Sequence, residues 1–426
     1  MEIMQNKIIS ILLGVLSLAG TALAEGVTEE RLGANPSVRD LVEYAWAHNP
    51  EVVAAREEWR GRIENVRVMG AYPDPEFMVE QMGTTDPSWK AQLNFMVPFP
   101  GKLGAATESA ESMAAAAKIS LDLTARDLAQ AIRESAAETA YMQKAIEVAG
   151  KNRALLKRLS ALSLNAYAAR SAELIDLVRA NSMVAKVDFD DTVLKELLDV
   201  EKARLNSRLA RETAAPLGTI QLPAPLALAY SIDEVGKLVA ERPEEMHLAG
   251  AEIQRAKADA RAARLEAYPD FTFGAFKNPV EKGNENSYGF SVGITLPIWG
   301  GKNSGRNGVA EAGVKKAEAM REAKRLSIRA DARELYFRVT NAARLTALYN
   351  DTLIPQSARS LQLAENWMKG GEASLSDYTE IATTLYGFEL ARARAEADHA
   401  KYLARLESLA GQPLTSRLDA GKEGQK

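Results

Sequence analysis

Two glycine-lysine pairs raise the first chemical question. Gly101-Lys102, in "VPFPGKLG", and Gly301-Lys302, in "LPIWGGKNSG", each follow an alternating apolar run and precede a long helix-like one. A Gly-Lys after a strand suggests the end of a phosphate-binding loop. Such a loop needs G-x-x-x-x-G-K and then Ser or Thr, because the hydroxyl holds magnesium and the first glycine opens the anion cradle. Here Leu103 and Asn303 follow the lysines, and Met96 and Leu296 stand where the first glycine should be. The nucleotide reading fails on spacing. The residues Pro98, Pro100, Gly101 and Lys102, and again Pro297, Gly300, Gly301 and Lys302, read instead as strand-to-helix corners. In that reading proline ends the strand, glycine turns the chain, and each lysine lies in water or among lipid head groups.

Other chemistry is sparse. His48, His247 and His399 lie in separate segments with no ligand-pair spacing, and cysteine is absent. Zinc motifs, thiolate sites and disulfides are thereby excluded. No catalytic residue, cofactor or metal site is expected. Two turn-like segments keep a candidate role: "YAARSAELID" (Tyr167–Asp176) and "MKGGEASLSD" (Met368–Asp377). Gly370 and Gly371 allow the backbone to reverse, and Asp377 and Glu380, three apart, share one helical face. Acidic residues also favour any first helical turn, so the residues alone leave both readings open.

The elements around these residues come in duplicate. "HNPEVVAAREE" near Asn49-Pro50 matches "ERPEEMHLAGAE" near Arg242-Pro243, and "AYPDP" (Ala71–Pro75) returns as "AYPDF" (Ala267–Phe271). The two corners and the two turn segments follow in the same order, about two hundred residues apart. Residues 25–214 therefore form a first repeat and 231–411 a second, joined by a Pro-rich linker at 215–230 and followed by a polar tail at 412–426. In each repeat a helix (about 37–70 and 231–267) ends at Tyr-Pro-Asp, where proline stops propagation. Two strands follow: Glu76–Gly83 with Trp89–Val97, then Phe271–Lys277 with Tyr288–Leu296. Trp89, Ala91, Leu93, Phe95 and Val97 alternate with polar neighbours, as do Tyr288, Phe290, Val292, Ile294 and Leu296. Such period-two alternation marks a strand between two unlike media, and a half-buried soluble sheet gives the same pattern. Long helices with small residues at helical spacing complete each repeat, with Pro355 expected to break the first long helix of the second repeat, about 303–369.

Composition sets the compartment. The 426-residue chain has a formal charge of −4, with 46% hydrophobic and 26% charged residues. Nothing there calls for nucleic acid. Lys7, the apolar run "IISILLGVLSLAG" and the small-x-small site Ala22-Leu23-Ala24 read as a secretory signal peptide over residues 1–24. No later segment approaches a transmembrane helix. Any membrane residence must use strands, and four strands cannot close a barrel alone or leave open edges in lipid.

The duplicated plan, Tyr-Pro-Asp before the strands, "PFPGK" and "LPIWGGK" after them, and "GEASLSD" (Gly371–Asp377) together resemble the TolC-like outer-membrane efflux protein family. "PFPGK" is most similar to its CusC/CzcC-like heavy-metal efflux branch. The resemblance implies a mainly α fold with a small membrane β-barrel part. It implies a homotrimer, each chain giving four strands to a shared twelve-stranded barrel in outer-membrane lipid, above a trimeric α-helical tunnel in the periplasm. It further implies a passive exit duct for a tripartite pump or type I secretion system, opened by a periplasmic adaptor protein and an inner-membrane efflux pump. By motif correspondence Asp377 and Glu380 fall at the tunnel constriction, and Arg170, Ser171, Gly370, Gly371 and Glu372 at adaptor-contacting hairpin tips. Arg170 stands where the family usually has glycine, and no cysteine follows the signal peptide to carry a lipid anchor. The competing reading is a periplasmic coiled-coil structural or adaptor protein.

Overall fold

The computed structural model describes residues 27–82, 88–168, 174–241, 244–277, 288–370 and 375–416. The predicted signal peptide and most of the hairpin-tip residues lie outside these. The described chain runs α1 (Glu29–Ala34), α2 (Val38–His48), α3 (Pro50–Gly70), β1 (Glu76–Met82), β2 (Ser88–Val97), α4 (Lys102–Ala168) and α5 (Leu174–Arg208). The second half follows with α6 (Ile232–Glu241), α7 (Glu244–Leu265), β3 (Asp270–Lys277), β4 (Tyr288–Thr295), α8 (Gly300–Leu348), α9 (Ile354–Gly370) and α10 (Leu375–Ala410). The fold class read from the sequence holds: the chain is mostly helical with one small antiparallel sheet.

Two boundaries differ from expectation. The first helix stops at Asn49, whose N–H caps Ala45 (2.8 Å) and whose side-chain amide donates to the Arg208 carbonyl (2.8 Å); Pro50 then starts α3, where its missing N–H costs nothing. Pro355 does not break the first long helix of the second repeat. A π-helical turn at Tyr349–Leu353 widens the backbone just ahead of it, and α9 continues from Ile354. An extra residue in the turn absorbs a proline that cannot donate to the ladder.

The chain divides into two compact units, each drawing on both repeats. One comprises residues to Asn49, Leu128–Leu228 and Phe337–Arg405. Ser37 and Asp40 form a reciprocal capping box that starts α2. Ala129, Ile132, Ala136, Ala137 and Ala140 are buried on α4, so small side chains set the core-facing stripe. Arg394 reaches Glu138 (2.7 Å) and Arg405 reaches Glu134 (2.6 Å). Burial alone would raise the Glu134 carboxyl; hydrogen bonds from Arg405 and Gln130 outweigh it and hold the group below its ordinary range. Gly218 lies against α1, its N–H donating to the Leu32 carbonyl (3.1 Å); a Cβ there would fall 1.5 Å from the Ala34 carbonyl oxygen, so only glycine fits.

The other unit comprises Pro50–Asp127, Ala229–Tyr336 and Leu406 onward. It holds the sheet, ordered β1-β2-β3-β4 with every neighbour antiparallel. The register aligns the apolar alternation of all four strands. Phe77 pairs Leu93, Leu93 pairs Ala275 and Ala275 pairs Phe290; one step along, Phe95, Phe273 and Val292 line up. All of these side chains therefore stand on one face. The opposite face carries Gln92, Asn94, Thr272, Ser291 and Thr295, with a Gln92–Asn94 side-chain bond of 2.7 Å.

Candidate functional site

The burial of this sheet is inverted relative to a water-soluble one. Phe290 is 90% exposed, Val292 73% and Phe77 70%, while the polar face at Gln92, Asn94 and Ser291 is half-buried. A half-buried soluble sheet, the alternative kept open by the alternation alone, would put these aromatics inside. Exposed apolar faces of this extent mark a surface meant for apolar surroundings. Among the described residues no helix is long and apolar enough to cross a membrane.

The two predicted corners lie at the end of this sheet, and they are built differently. In the first, Pro98 and Pro100 flank Phe99, so Phe99 has the only N–H between Val97 and Gly101. That N–H donates to Asp270 Oδ1 (2.9 Å), and Lys102 Nζ donates to Asp270 Oδ2 (2.8 Å). Both carboxylate oxygens are thus engaged. The Lys102 side chain is only 9% exposed, not free in water or head groups as the sequence suggests, because the acid from the second Tyr-Pro-Asp holds it. Tyr268 of the same motif stacks on Phe99 with ring centroids 4.6 Å apart. Gly101 has φ +101°, a conformation that side chains strongly disfavour, and α4 begins at the next residue.

In the second corner Ile298 N–H donates to the Leu296 carbonyl (2.9 Å) and Gly300 N–H to that of Ile298 (3.0 Å), two successive three-residue turns. Asn303 closes the bend from its side chain to the Pro297 carbonyl (3.0 Å). Gly300 and Gly301 sit in the first turn of α8 with ordinary negative φ, so neither supplies the reversal expected of it. Lys302 is exposed, and so are Ile298 and Trp299. Asp74 and Tyr72, from the first Tyr-Pro-Asp, are exposed as well.

The acidic candidates occupy the start of α10. Asp377 and Glu380 are exposed, while Tyr378 and Thr379 between them and Ala382 just beyond are buried. Tyr378 packs with Leu156, Leu159, Val187 and Ala364, and burial, with Glu365 nearby, raises its hydroxyl above the ordinary value. Thr379 Oγ1 donates to the Ser376 carbonyl (2.7 Å), and Arg179 donates to Ser376 Oγ (2.6 Å). The packed face fixes the helix rotation. It leaves Asp377, Glu380, Thr384 and Gly387 on one exposed stripe at three-four-three spacing, polar or small where a coiled-coil seam would be apolar. Of the predicted tips, Gly370 ends α9; Arg170, Ser171, Gly371 and Glu372 lie outside the described residues. Among the described residues no cluster of potential metal ligands occurs. His399 is buried near the Leu226 carbonyl (3.1 Å), and burial lowers its pKa.

One two-strand hairpin from each half of the chain, paired into a single inverted four-stranded sheet and joined by sharp corners to long helices, is the fold of outer-membrane channels. The chain superposes on VceC, an outer membrane protein of Vibrio cholerae, with a TM-score of 0.74 at 19% identity, covering 88% of this chain and 96% of that one. The open-state MtrE outer membrane channel of Neisseria gonorrhoeae gives 0.72 at 17% identity, with 88% and 89% covered. CusC, whose crystal structures concern folding and transmembrane channel formation, gives 0.74 at 15% identity, with 88% and 92% covered. Residues 235–412, most of the second repeat, match the family of outer membrane efflux proteins. The resemblance read from the motifs thus has a matching family model over 235–412 and a matching fold over most of the chain. Among curated proteins no relative matches by sequence.

The Asp270–Lys102 pair is the functional feature that motif reading missed. Its signal was present: both Tyr-Pro-Asp motifs supply an acid, both corners supply a lysine, and the two recur together. Each motif was read within its own repeat, whereas the bond joins one repeat to the other.

Proposed function

We propose that this protein is the outer-membrane exit duct of a tripartite efflux pump or type I secretion system. Copies of the chain close a shared barrel in the outer membrane, and the helices form a tunnel in the periplasm. The observation that carries this reading is the exposed apolar face of a sheet with two open edges. Lipid satisfies that face, but unpaired strand edges in lipid cost several kcal/mol per backbone group, so additional copies must pair with them. A periplasmic coiled-coil protein would have no use for either feature.

In this role the chain performs no chemistry; energy comes from an inner-membrane pump acting through a periplasmic adaptor. The hairpin tips at Arg170, Ser171, Gly370, Gly371 and Glu372 contact that adaptor. Asp377 and Glu380, repeated around the axis of a trimer, form stacked acidic rings that favour cations and resist closing unless partly neutralised. A heavy-metal cargo rests on the "PFPGK" motif alone. The test is direct: the protein fractionates with the outer membrane as a heat-modifiable trimer and gives single-channel conductance in planar bilayers. A soluble monomer overturns the proposal. Replacing Asp377 and Glu380 by Asn and Gln lowers cation selectivity or cation block; unchanged conductance and selectivity remove the ring from the mechanism.

A further inference from the structure

The duplication leaves half of one interaction unmade. Within the chain, the corner of the first repeat is held by the Tyr-Pro-Asp of the second: Asp270 takes Lys102 and the Phe99 N–H, and Tyr268 stacks on Phe99. The same parts exist with the repeats exchanged. Asp74 and Tyr72 stand at the entrance of β1, and Trp299 and Lys302 in the corner after β4. All four are exposed, Tyr72 by 66% and Trp299 by 70%. The Trp299 N–H, which matches that of Phe99 in distance from the lysine, bonds to no described residue. They cannot meet within one chain. β1 and β4 are opposite edges of the sheet, three inter-strand spacings or roughly 14 Å apart.

We propose that Asp74 of one copy clamps the Trp299–Lys302 corner of a second copy, with Tyr72 stacked on Trp299. The interface between chains then repeats the β2–β3 junction inside the chain. This inference rests on the multimeric barrel reading above and assigns its closing contacts. Register follows from the structure. Phe77 opposite Leu93 corresponds to Phe273 opposite Val292, which fixes how the two hairpins superpose. Phe95 opposite Phe273 then maps onto Ile294 of one copy opposite Phe77 of the next. Edge pairing in that register continues the apolar face without a step and brings Asp74 to the corner. Counted from Val97 and its counterpart Leu296, the second corner has one more residue before its lysine than the first, Ile298, which its own three-residue turn takes up.

The chain contains no cysteine, so engineered pairs report cleanly. Facing residues on antiparallel strands lie close enough for a disulfide. Phe77→Cys combined with Ile294→Cys, oxidised in detergent-extracted full-length protein, is expected to give covalent multimers up to trimer on denaturing gels. Phe95→Cys with Phe273→Cys serves as the intrachain control and runs as monomer. For the clamp itself, Asp74→Lys lowers the fraction of trimer surviving mild heating in detergent by about tenfold, the response to roughly 1.4 kcal/mol. Asp74→Lys with Lys302→Asp restores it, and Asp74→Asn gives an intermediate loss should the lysine variant assemble poorly. Wild-type trimers in which Asp74→Lys is harmless, or in which the exchanged pair gives no rescue, overturn the clamp and leave the channel reading intact. A wild-type protein that is monomeric in detergent overturns both.

Discussion

The two corners show how one local plan behaves when its partner is inside the chain and when it is not. The Lys102 corner is covered, doubly hydrogen-bonded and stacked; the Lys302 corner presents the same residue types to solvent. Nothing in the local sequence accounts for the contrast. It follows from strand order: β2 lies between β1 and β3, whereas among the described residues β4 has a strand on one side only. Burial of a charged group is thus a property of sheet topology here, and in the proposed assembly the exposed corner is an interface.

The sharpest way to break the comparison is to remove the acid. Asp270→Ala leaves Lys102 without its counter-charge in a site where the lysine is nearly covered. Removing one partner of a buried pair costs more than the pair is worth, about 3 kcal/mol. Thermal unfolding in detergent, followed by circular dichroism, is expected to show a clear drop in midpoint. Asp74→Ala in the dissociated monomer is expected to leave the midpoint unchanged. An equal loss from both would mean that the two corners do not differ in the way their surroundings indicate.

Next in size is the backbone of the turn. Gly101→Ala places a side chain at φ +101° and is expected to cost about 2 kcal/mol, although Leu265 leaves room for the Cβ itself. A loss below a few tenths, measured in the same unfolding assay, would show that the corner relaxes to an ordinary turn.

Much of this fold was legible because local periodicity carries it. The β1–β4 boundaries fall within a residue or two of the alternating runs, since a face that must be apolar at every second position leaves little freedom. What stayed hidden depended on distant partners. The Asp270–Lys102 bond spans 168 residues, and no local pattern distinguishes Asp270 from Asp74 or Lys102 from Lys302. Pro355 could be read only as a helix breaker, because the turn that absorbs it, Tyr349–Leu353, carries no proline or glycine signal of its own. At the acidic stripe, spacing placed Asp377 and Glu380 on one helical face. It took the packing of Tyr378 to show that this face is the exposed one.

The stacking pair sharpens the comparison at smaller scale. Tyr268→Ala removes a ring stacked on Phe99 and is expected to lower stability by about 1 kcal/mol in monomer and multimer alike. Tyr72 stacks on no ring among the described residues, so the cost of Tyr72→Ala is expected only after assembly. The measurement is the trimer-to-monomer transition against the unfolding midpoint. A monomer midpoint lowered equally by both substitutions would put Tyr72 in an intrachain role.

The smallest effect has the opposite sign. Gly301 lies in the first turn of α8 with helical φ, and nothing lies within 4 Å of where its Cβ would be. Alanine restricts the unfolded chain and favours helix over glycine by up to about 1 kcal/mol in a helix interior, and by less at a first turn. Gly301→Ala is therefore expected to raise the monomer midpoint slightly, where Gly101→Ala lowers it. If the trimer loses stability while the monomer gains it, the space beside Gly301 is filled by the neighbouring copy, as the Lys302 corner requires. If both gain, the glycine is a remnant of the duplicated Gly-Lys with no remaining conformational duty.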